Sequence, residues 1–416
     1  MFNLLRQRNF ALLWFGGLIS IMGDRVLLVA LPYFVYQQTG STFASALMVA
    51  AELLPRLLFG SVAGVYVDRW DRKKIMVITS VAQGLVILPL LLVRSAESMW
   101  IVYLVSFFQT MLAMFFGPAE NALLPLLVEE AELLPANSLN ALNNNIARLI
   151  GPPIGGAILA ISGLSGVVIF DSITFVIAGL MILAINGAGR PIGVVTAEQR
   201  AEEPRPNFWK EWAEGIHIVR RNRIVAILFI TVVLLNFGGI LIDPLGAPYM
   251  GDVVKAGPEV FGWLTTVQAI GGILGGLLAG KVYQKMSTAR LYGWAELILG
   301  FFIFLRYNIP ELPVLFVMSF LVGLPAALGA AALDTLFQQK VPNTHLGRII
   351  GALNTTIGLT SLFGVLGISG VLGDLLGIVP VLNIAAVITG LTGLIVLLFL
   401  PAEHQKGEVP SSTLAG

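Results

Sequence analysis

Residues 64–74 read GVYVDRWDRKK, and six of these eleven residues are charged. Across the whole chain of 416 residues, Asp, Glu, Lys and Arg make up only 12%. The segment lies between two long apolar runs, at 43–66 and 75–93. Charge concentrated between apolar runs is typical of a short hydrated loop that joins two membrane-crossing helices.

The composition indicates a membrane protein. Hydrophobic residues make up 56% of the chain and the mean hydropathy is +0.86, well above the roughly half-apolar usage of soluble domains. The formal net charge of +1 gives no reason to expect a nucleic-acid partner. The chain has no cysteine, and its three histidines, His217, His345 and His404, are far apart. We therefore expect no metal site, no cofactor and no enzymatic activity.

Apolar runs recur twelve times along the chain. Most of them reach the roughly 20 residues that a helix needs to cross about 30 Å of hydrocarbon, and lipid requires the backbone polar groups to pair within each segment. The runs lie at 10–36, 43–66, 75–93, 99–127, 139–162, 166–186, 224–247, 260–282, 289–307, 312–336, 348–373 and 378–400. We predict an all-α membrane protein with twelve transmembrane helices, numbered 1 to 12 in this order.

Lys and Arg are distributed unevenly between the two sides of the predicted bundle. With the N-terminus in the cytoplasm, the inner loops and tails hold 19 of the 25 basic residues, and the outer loops hold three: Arg94, Lys255 and Arg306. Cytoplasmic loops carry an excess of Lys and Arg. This distribution predicts a multi-pass protein of the cell membrane (inner or plasma membrane) with its N- and C-termini in the cytoplasm.

The longest polar segment separates six helices from six. The prediction is an N-terminal six-helix bundle, a cytoplasmic linker with an amphipathic helix, a C-terminal six-helix bundle and a cytoplasmic tail, at 1–186, 187–223, 224–400 and 401–416. Within the linker, Trp209, Trp212, Ile216 and Val219 fall on one helical stripe. Such a stripe is typical of a helix that lies on the inner membrane surface. A polar lead-in to helix 7 is the alternative.

The two halves of the chain repeat each other. ALNNNI at 141–146 recurs as ALNTTI at 352–357, and GVYVDRWDRKK has a degenerate counterpart in GKVYQKMSTAR at 280–290. In that counterpart Gln284 stands for Asp68. Two matches in corresponding topological places indicate duplicated six-helix units. Such repeats predict a central site between halves that rock against each other.

The charged loop resembles the signature of a known family. The residues that match G-x-x-x-D-R-x-G-R-K of the major facilitator superfamily are Gly64, Asp68, Arg69, Arg72 and Lys73. Asp71 replaces the second glycine and leaves the ion-pair elements in place. The resemblance extends over the whole chain and implies two pseudo-symmetric six-helix bundles, the major facilitator fold.

A narrower resemblance lies in FFGPAENALLPLLV, ARLIGPPIGG and VPNTHLGRIIG, which look like the branch that contains macrolide and siderophore exporters. GPPIGG is similar to the helix-5 motif G-P-x-x-G-G of drug/proton antiporters, with Gly151, Pro152, Gly155 and Gly156 as its residues. The resemblance implies export driven by proton antiport. Ordinary close packing of glycine-rich membrane helices is the alternative interpretation of this motif.

The charges of the 64–74 loop also suggest a mechanical role. An acidic residue at the end of helix 2 and a basic cluster at the start of helix 3 can form ion pairs that hold one conformation of the half-bundles. We expect the signature residues Gly64, Asp68, Arg69, Arg72 and Lys73 to form such a conformational latch. A positive-inside anchor, for which Arg72, Lys73 and Lys74 would suffice, is the alternative.

Charges inside the predicted helices are candidates for coupling, because a charge in the bilayer is costly unless it faces protein or water. Asp24 and Glu52 are the candidate proton carriers, and Arg25, Arg56 and Arg148 are candidate cavity groups that pair with them. Asp24 and Arg25 are adjacent and point about 100° apart on a helix, so we expect one to face the cavity and the other a neighbouring helix. Glu52 and Arg56 can equally form a static pair within helix 2.

The remaining membrane charges carry weaker expectations. Glu120 and Asp334, near the inner ends of helices 4 and 10, are either gate or entry groups or snorkelling residues. Asp171 and Asp243 fall near outer helix ends, where we expect them to be solvated.

The sequence therefore predicts a secondary active transporter that exports amphipathic small molecules, drug-, macrolide- or siderophore-like, by proton antiport with alternating access. Its expected partners are a small amphipathic substrate, protons and the lipid bilayer, and we expect a monomer. Two alternatives remain. One is a lysophospholipid flippase of the same fold, whose substrate would enter sideways from a leaflet. The other is a non-transporting receptor or scaffold, which would need a soluble module that the short loops do not offer.

Overall fold

The computed structural model describes residues 2–187, 208–341 and 343–400, and within these ranges every regular element is a helix. The ranges whose side chains are not described are 60–66, 68–69, 208–211, 214 and 343–348. Eleven helical segments are long and apolar enough to cross a membrane. One of them, Glu130–Leu183, has 54 residues, more than twice the length of one crossing. It breaks at Gly163 (φ 64°, ψ −166°) and so contains two crossings, which gives the twelve that the sequence predicts.

The first half contains helices 1 to 6. Their bounds are Arg8–Thr39, Thr42–Arg69, Arg72–Val86, Met99–Leu123 and, for helices 5 and 6 together, Leu133–Leu183 with the break at Gly163. A 3-10 segment, Leu88–Leu92, extends helix 3. Helix 1 is tied to helix 5, because Trp14 Nε1 donates to Leu139 O and Asn143 Nδ2 donates to Trp14 O, both at 2.9 Å.

The second half contains helices 7 to 12. Their bounds are Arg223–Ile242, Pro258–Tyr283, Thr288–Asn308, Leu312–Lys340, Asn343–Phe363 and Ile378–Phe399. Two of these helices continue in other helical forms. Helix 7 is followed by short 3-10, α and π segments as far as Val254, and helix 11 by a π segment, Gly364–Leu372, and a last turn, Gly373–Leu376.

The linker helix, Phe208–Arg221, packs against the second half. Trp212, Ile216 and Val219 of its apolar stripe contact a cluster that includes Phe229 of helix 7 and Leu353 of helix 11. Trp212 Nε1 also donates to Thr356 Oγ1 at 3.4 Å. The apolar stripe therefore faces protein along these residues. Residues 188–207 of the linker, the Trp209 side chain and the tail from 401 onward lie outside the described residues.

Each half has an apolar core of its own. Buried clusters in the first half centre on residues such as Met48 and Leu139, and those in the second half on residues such as Leu299 and Leu382. A much smaller cluster joins the halves, where Ala46 and Ala50 of helix 2 meet Val365 of helix 11. Apolar packing between the halves is therefore less extensive than packing within either core.

Candidate functional site

The two halves are joined at one side of the bundle. We call the side of the linker helix the linker side, and the opposite side, where a short turn connects helices 1 and 2, the far side. Tyr33 Oη of helix 1 donates to Ala256 O at 2.9 Å, and Tyr36 Oη donates to the Asp252 carboxylate. Both bonds connect helix 1 to the segment that joins helices 7 and 8.

Asp374, at the far-side end of helix 11, caps helix 2 of the other half. Its carboxylate accepts from the Thr42 backbone N–H and the Thr42 hydroxyl, each at 2.7 Å, and from the Ser41 hydroxyl at 2.9 Å. An acidic group at a helix N-terminus satisfies amide donors that have no partner within the helix. Asp374 therefore binds the two halves together at the start of helix 2.

One further hydrogen bond joins the halves in the middle of the bundle, from Thr266 Oγ1 of helix 8 to Leu149 O of helix 5 at 2.8 Å. Seven side-chain hydrogen bonds between the two halves lie at the far side. The structure is thus closed on the far side.

The GPPIGG segment lets helix 5 approach two other helices. The closeness can be judged from the room for a side chain at each glycine. If a Cβ were added to Gly155, it would lie 2.6 Å from Val26 O of helix 1, and one added to Gly156 would overlap Pro258 O of helix 8. The approach is reciprocal, because a Cβ on Gly262 of helix 8 would overlap Pro152 O. Helix 5 is therefore held between helix 1 of its own half and helix 8 of the other half.

Asp24 and Arg25 point in different directions, as the sequence predicts. A Cβ on Gly151 would overlap the Arg25 side chain, which places Arg25 against helix 5. Asp24 is enclosed by protein, yet its side chain is accessible to solvent. Both observations fit a position of Asp24 beside a space inside the bundle. With the far side closed, such a space would open toward the linker side or the seams between helices.

Charges from both halves lie within electrostatic range of one another in this part of the bundle. Glu52 lies within electrostatic range of Asp24, of Arg56 and of Asp243 from helix 7. Arg56 lies within electrostatic range of Asp243 as well, so two carboxylates from different halves act on its guanidinium. A static pair of Glu52 and Arg56 within helix 2 remains the alternative. Arg148 completes the group from helix 5, where it lies within range of Arg25.

Asp171 differs from the sequence expectation in its exposure, and Asp243 differs in its place along the helix. Asp171 is 0% exposed instead of solvated: it packs against Gly23, where a Cβ would overlap its Oδ1, and accepts from Thr174 Oγ1 at 3.2 Å. Asp243 is exposed but enclosed by protein next to Arg56, because the chain continues in helical turns to Val254 and the membrane span does not end at Asp243. The proline- and glycine-rich sequence DPLGAP concealed that continuation.

Charges buried in the second half were also missed. Arg306 was expected in an outer loop, but it lies within helix 9, is 9% exposed and donates from Nη1 to Gln268 Oε1 at 2.8 Å. Glu296, in the same helix, is 1% exposed and lies against Gly329 of helix 10. Both residues lie inside or at the edge of the apolar run 289–307. A charge within an apolar run could have indicated that these side chains are buried.

The other two membrane carboxylates lie apart from this group. Glu120 of helix 4 lies next to helix 1, where a Cβ on Gly17 would be 3.0 Å from its Oε1. Asp334 of helix 10 is exposed.

The 64–74 loop is described only in part. The side chains of Gly64, Asp68 and Arg69 lie outside the described residues, so the latch remains a prediction. Lys73 Nζ donates to Ile185 O at 2.6 Å and so binds the end of helix 6 within its own half. Asp71 is the N-cap of helix 3 and accepts from the Lys74 N–H at 3.0 Å. This cap gives a structural reason for an aspartate where the signature has glycine.

Twelve membrane-crossing helices in two repeated halves, with charged residues of both halves inside the bundle, are the architecture of a membrane transporter. The family described as transmembrane secretion effector, within the major facilitator superfamily, matches residues 1–415, and the chain belongs to that family of efflux transporters.

The chain is similar to efflux proteins over most of its length. It is 25% identical to macrolide efflux protein A of Streptococcus pyogenes over 367 residues, which cover 86% of this chain and 88% of that protein. It is 28% identical to the multidrug efflux pump Tap of Mycobacterium bovis over 381 residues, 85% of each chain.

Solved structures share the fold at low sequence identity. A mutant of the nucleoside transporter NupG superposes with a TM-score of 0.74 at 12% identity and covers 94% of this chain and 100% of that one. A bacterial homologue of the iron transporter ferroportin, in its inward-facing state, gives a TM-score of 0.71 at 16% identity and covers 94% of this chain and 98% of that one.

Proposed function

We propose that this transporter exports amphipathic small molecules, of the drug, macrolide or siderophore kind, in exchange for protons. The observation that carries the proposal is the position of Asp24, a carboxyl group surrounded by protein and yet exposed within a membrane-crossing helix. Its neighbours include Arg25 of helix 1 and Glu52 of helix 2, and Glu52 in turn faces Asp243 of the other half. When the halves rock, these charges move relative to one another.

That movement supplies a physical basis for coupling. The proton affinity of a carboxyl group depends on desolvation and on nearby charges. Because Arg56 lies within electrostatic range of both Glu52 and Asp243, which belong to opposite halves, a change of access state would alter the field at this group of charges. Asp24 is the proposed proton carrier, and Glu52 the alternative.

The orientation is part of the proposal. The excess of Lys and Arg in the loops of the linker side supports a cytoplasmic location for that side. The far-side closure through Tyr36 and Asp374 then corresponds to a state that receives substrate from the cytoplasm. That is the state in which an exporter binds its cargo.

The substrate class rests on two observations. The efflux relatives are named for macrolides and for multiple drugs, and macrolides are amphipathic. The charged groups between the halves are few and come from a bundle that is otherwise apolar, which suits a ligand that is mainly apolar and is oriented by a few polar contacts.

The test is substrate-dependent proton flux. The purified protein would be reconstituted in liposomes that contain a pH-sensitive dye and exposed to a panel of macrolides, organic dye cations and siderophores. We expect at least one panel member to move protons in the opposite direction, and Asp24→Asn to abolish that flux. Substrate movement without proton flux in the wild type would contradict antiport, and no movement of any panel member would contradict the substrate class.

A second candidate, lysophospholipid flipping, is favoured by a groove at the seam between the halves. It has a volume of about 460 Å³ and is lined by Leu149, Ile150, Pro153, Ile154, Ala157 and Trp263 of helices 5 and 8. The groove is apolar, but the backbone contact of Gly156 with Pro258 and the Thr266 to Leu149 bond close the seam beside it. Uptake of a fluorescent lysophospholipid into the same liposomes distinguishes this function from drug export.

A further inference from the structure

The linker-side end of helix 12 lies between the starts of helices 7 and 9 and is flanked by two grooves. Helices 9 and 12 touch at Gly293 and Gly393, where an added Cβ would meet backbone of the partner helix. Beyond that contact they leave a groove of about 200 Å³, lined by Ala289, Arg290, Trp294, Val396, Leu397 and Leu400. On the other flank a groove of about 340 Å³ is lined by Arg223, Ile224, Leu398, Phe399 and Leu400.

Each groove has one arginine and an otherwise apolar lining. Arg223 is the first residue of helix 7, and Arg290 lies in the first turn of helix 9. Both side chains are exposed, and within the described part of the chain neither guanidinium has a hydrogen-bond or ion-pair partner. The two grooves therefore carry positive charge that the described residues do not neutralise.

The apolar residues of the grooves are also uncovered. Leu398 is 67% exposed, Phe399 51% and Trp294 47%. They stand at the ends of membrane-crossing helices, where tryptophan commonly lies at the level of the lipid headgroups. A soluble anion would leave these apolar surfaces uncovered, and an apolar molecule would leave the arginines unpaired.

We propose that these two grooves bind anionic phospholipids of the surrounding bilayer. The headgroup phosphate of a lipid pairs with Arg290 in one groove and with Arg223 in the other, since guanidinium groups bind phosphate oxygens in a bidentate manner. An acyl chain lies along the apolar lining formed by Leu397, Leu398 and Phe399. Basic pockets between transmembrane helices are suited to anionic lipid headgroups, and this proposal does not depend on the transported substrate.

The test compares lipids that differ only in charge. The full-length protein, purified in a mild detergent, would be titrated with phosphatidylglycerol or with phosphatidylcholine of the same chains, and bound lipid counted by native mass spectrometry. We expect the wild type to retain phosphatidylglycerol more strongly. In the double variant Arg223→Gln/Arg290→Gln, we expect binding to weaken about fivefold for each arginine removed, in line with the contribution of one basic residue near an anionic lipid surface.

The matched control is Arg220→Gln/Arg221→Gln, which removes two exposed arginines of the linker helix that line neither groove. This variant should bind phosphatidylglycerol as the wild type does.

Because neither Arg223 nor Arg290 has a partner in the described part of the chain, all variants should unfold at the same temperature without lipid. Equal retention of the two lipids by the wild type, or undiminished phosphatidylglycerol binding by the Arg223→Gln/Arg290→Gln variant, would overturn the proposal. Equally strong binding of glycerol phosphate, which has no acyl chain, would overturn it in favour of a plain phosphate site.

Discussion

Two groups of membrane charges, one in each half of this transporter, differ in their surroundings. In the first half, Asp24 and Arg56 are exposed within an enclosed space and interact with groups on several helices. In the second half, Glu296 and Arg306 are 1% and 9% exposed and are fixed within the packing of helices 8, 9 and 10. A repeated fold therefore does not imply repeated chemistry. If the proposed proton exchange is correct, accessibility should separate charges that exchange protons from charges that stabilise the bundle more clearly than depth in the membrane does.

The largest expected effect tests that distinction directly. Asp24→Asn fixes an uncharged group at the accessible position, so the variant should bind substrate and exchange it down its gradient but lose uphill export driven by a pH gradient. Glu296→Gln, the matched change at the enclosed position, should retain uphill export. Measurement of pH-driven uptake into inverted vesicles decides between them. Loss of coupling in Glu296→Gln at normal protein levels would show that the exposure of a carboxyl group in this structure does not identify the proton carrier.

Glu52→Gln tests the second candidate proton carrier. If Glu52 only balances Arg56, its loss should lower stability more than coupling, because a charge left without its partner in a low-dielectric setting is costly. Asp243 also faces Arg56, which should reduce that cost. Unfolding temperature and pH-driven uptake, measured on the same preparation, separate the two effects. Retained uphill export in Asp24→Asn together with its loss in Glu52→Gln would move the coupling role to Glu52.

The sequence was a good guide to the helices and a weaker guide to their charges. Long apolar runs report membrane crossing almost by themselves, since lipid allows few alternatives, and all twelve crossings were predicted. Asp171 was misplaced because its environment is made by Gly23, which lies about 150 residues away along the chain. Asp243 was misplaced because π and 3-10 turns continue the span through glycine and proline, which a period of about 3.6 residues does not reveal.

The second prediction concerns helices 5 and 11, which hold corresponding places in the two halves. Gly156→Ala should lower stability by about 1–3 kcal/mol, because its Cβ would overlap backbone of helix 8, which cannot move aside cheaply. Gly351→Ala in helix 11 has no atom within 4 Å of the added Cβ, so it should be neutral or stabilise by about 0.5–1 kcal/mol. Thermal unfolding in detergent measures both. Equal destabilisation by the two changes would mean that the helix 5 contact is looser than it appears.

The third prediction concerns the far-side closure that joins the halves. Asp374→Asn removes the charge that caps helix 2 and should weaken the closure by about 1–3 kcal/mol. Because the chain has no cysteine, Ala50→Cys at the seam can report opening. We expect a membrane-impermeant maleimide to label Cys at this position several-fold faster in the Asp374→Asn background. Glu97→Gln, an exposed far-side change within the first half, is the control and should leave the labelling rate unchanged.

The smallest expected effect lies in the charged loop between helices 2 and 3. Asp68→Asn makes this loop resemble its counterpart in the second half, where Gln284 already stands at the equivalent position. Because the loop is hydrated, the change should leave membrane insertion and folding intact. Loss of one solvated ion-pair partner, worth up to about 1 kcal/mol, should slow transport by no more than about fivefold.

The control variant Lys74→Gln should slow transport less, since Lys74 lies outside the signature spacing and its backbone N–H alone takes part in the Asp71 cap. Transport rates in vesicles, normalised to protein amount, measure both. A wild-type rate in Asp68→Asn would leave the loop as a positive-inside anchor, and the difference between the two halves would then lie in the membrane charges alone.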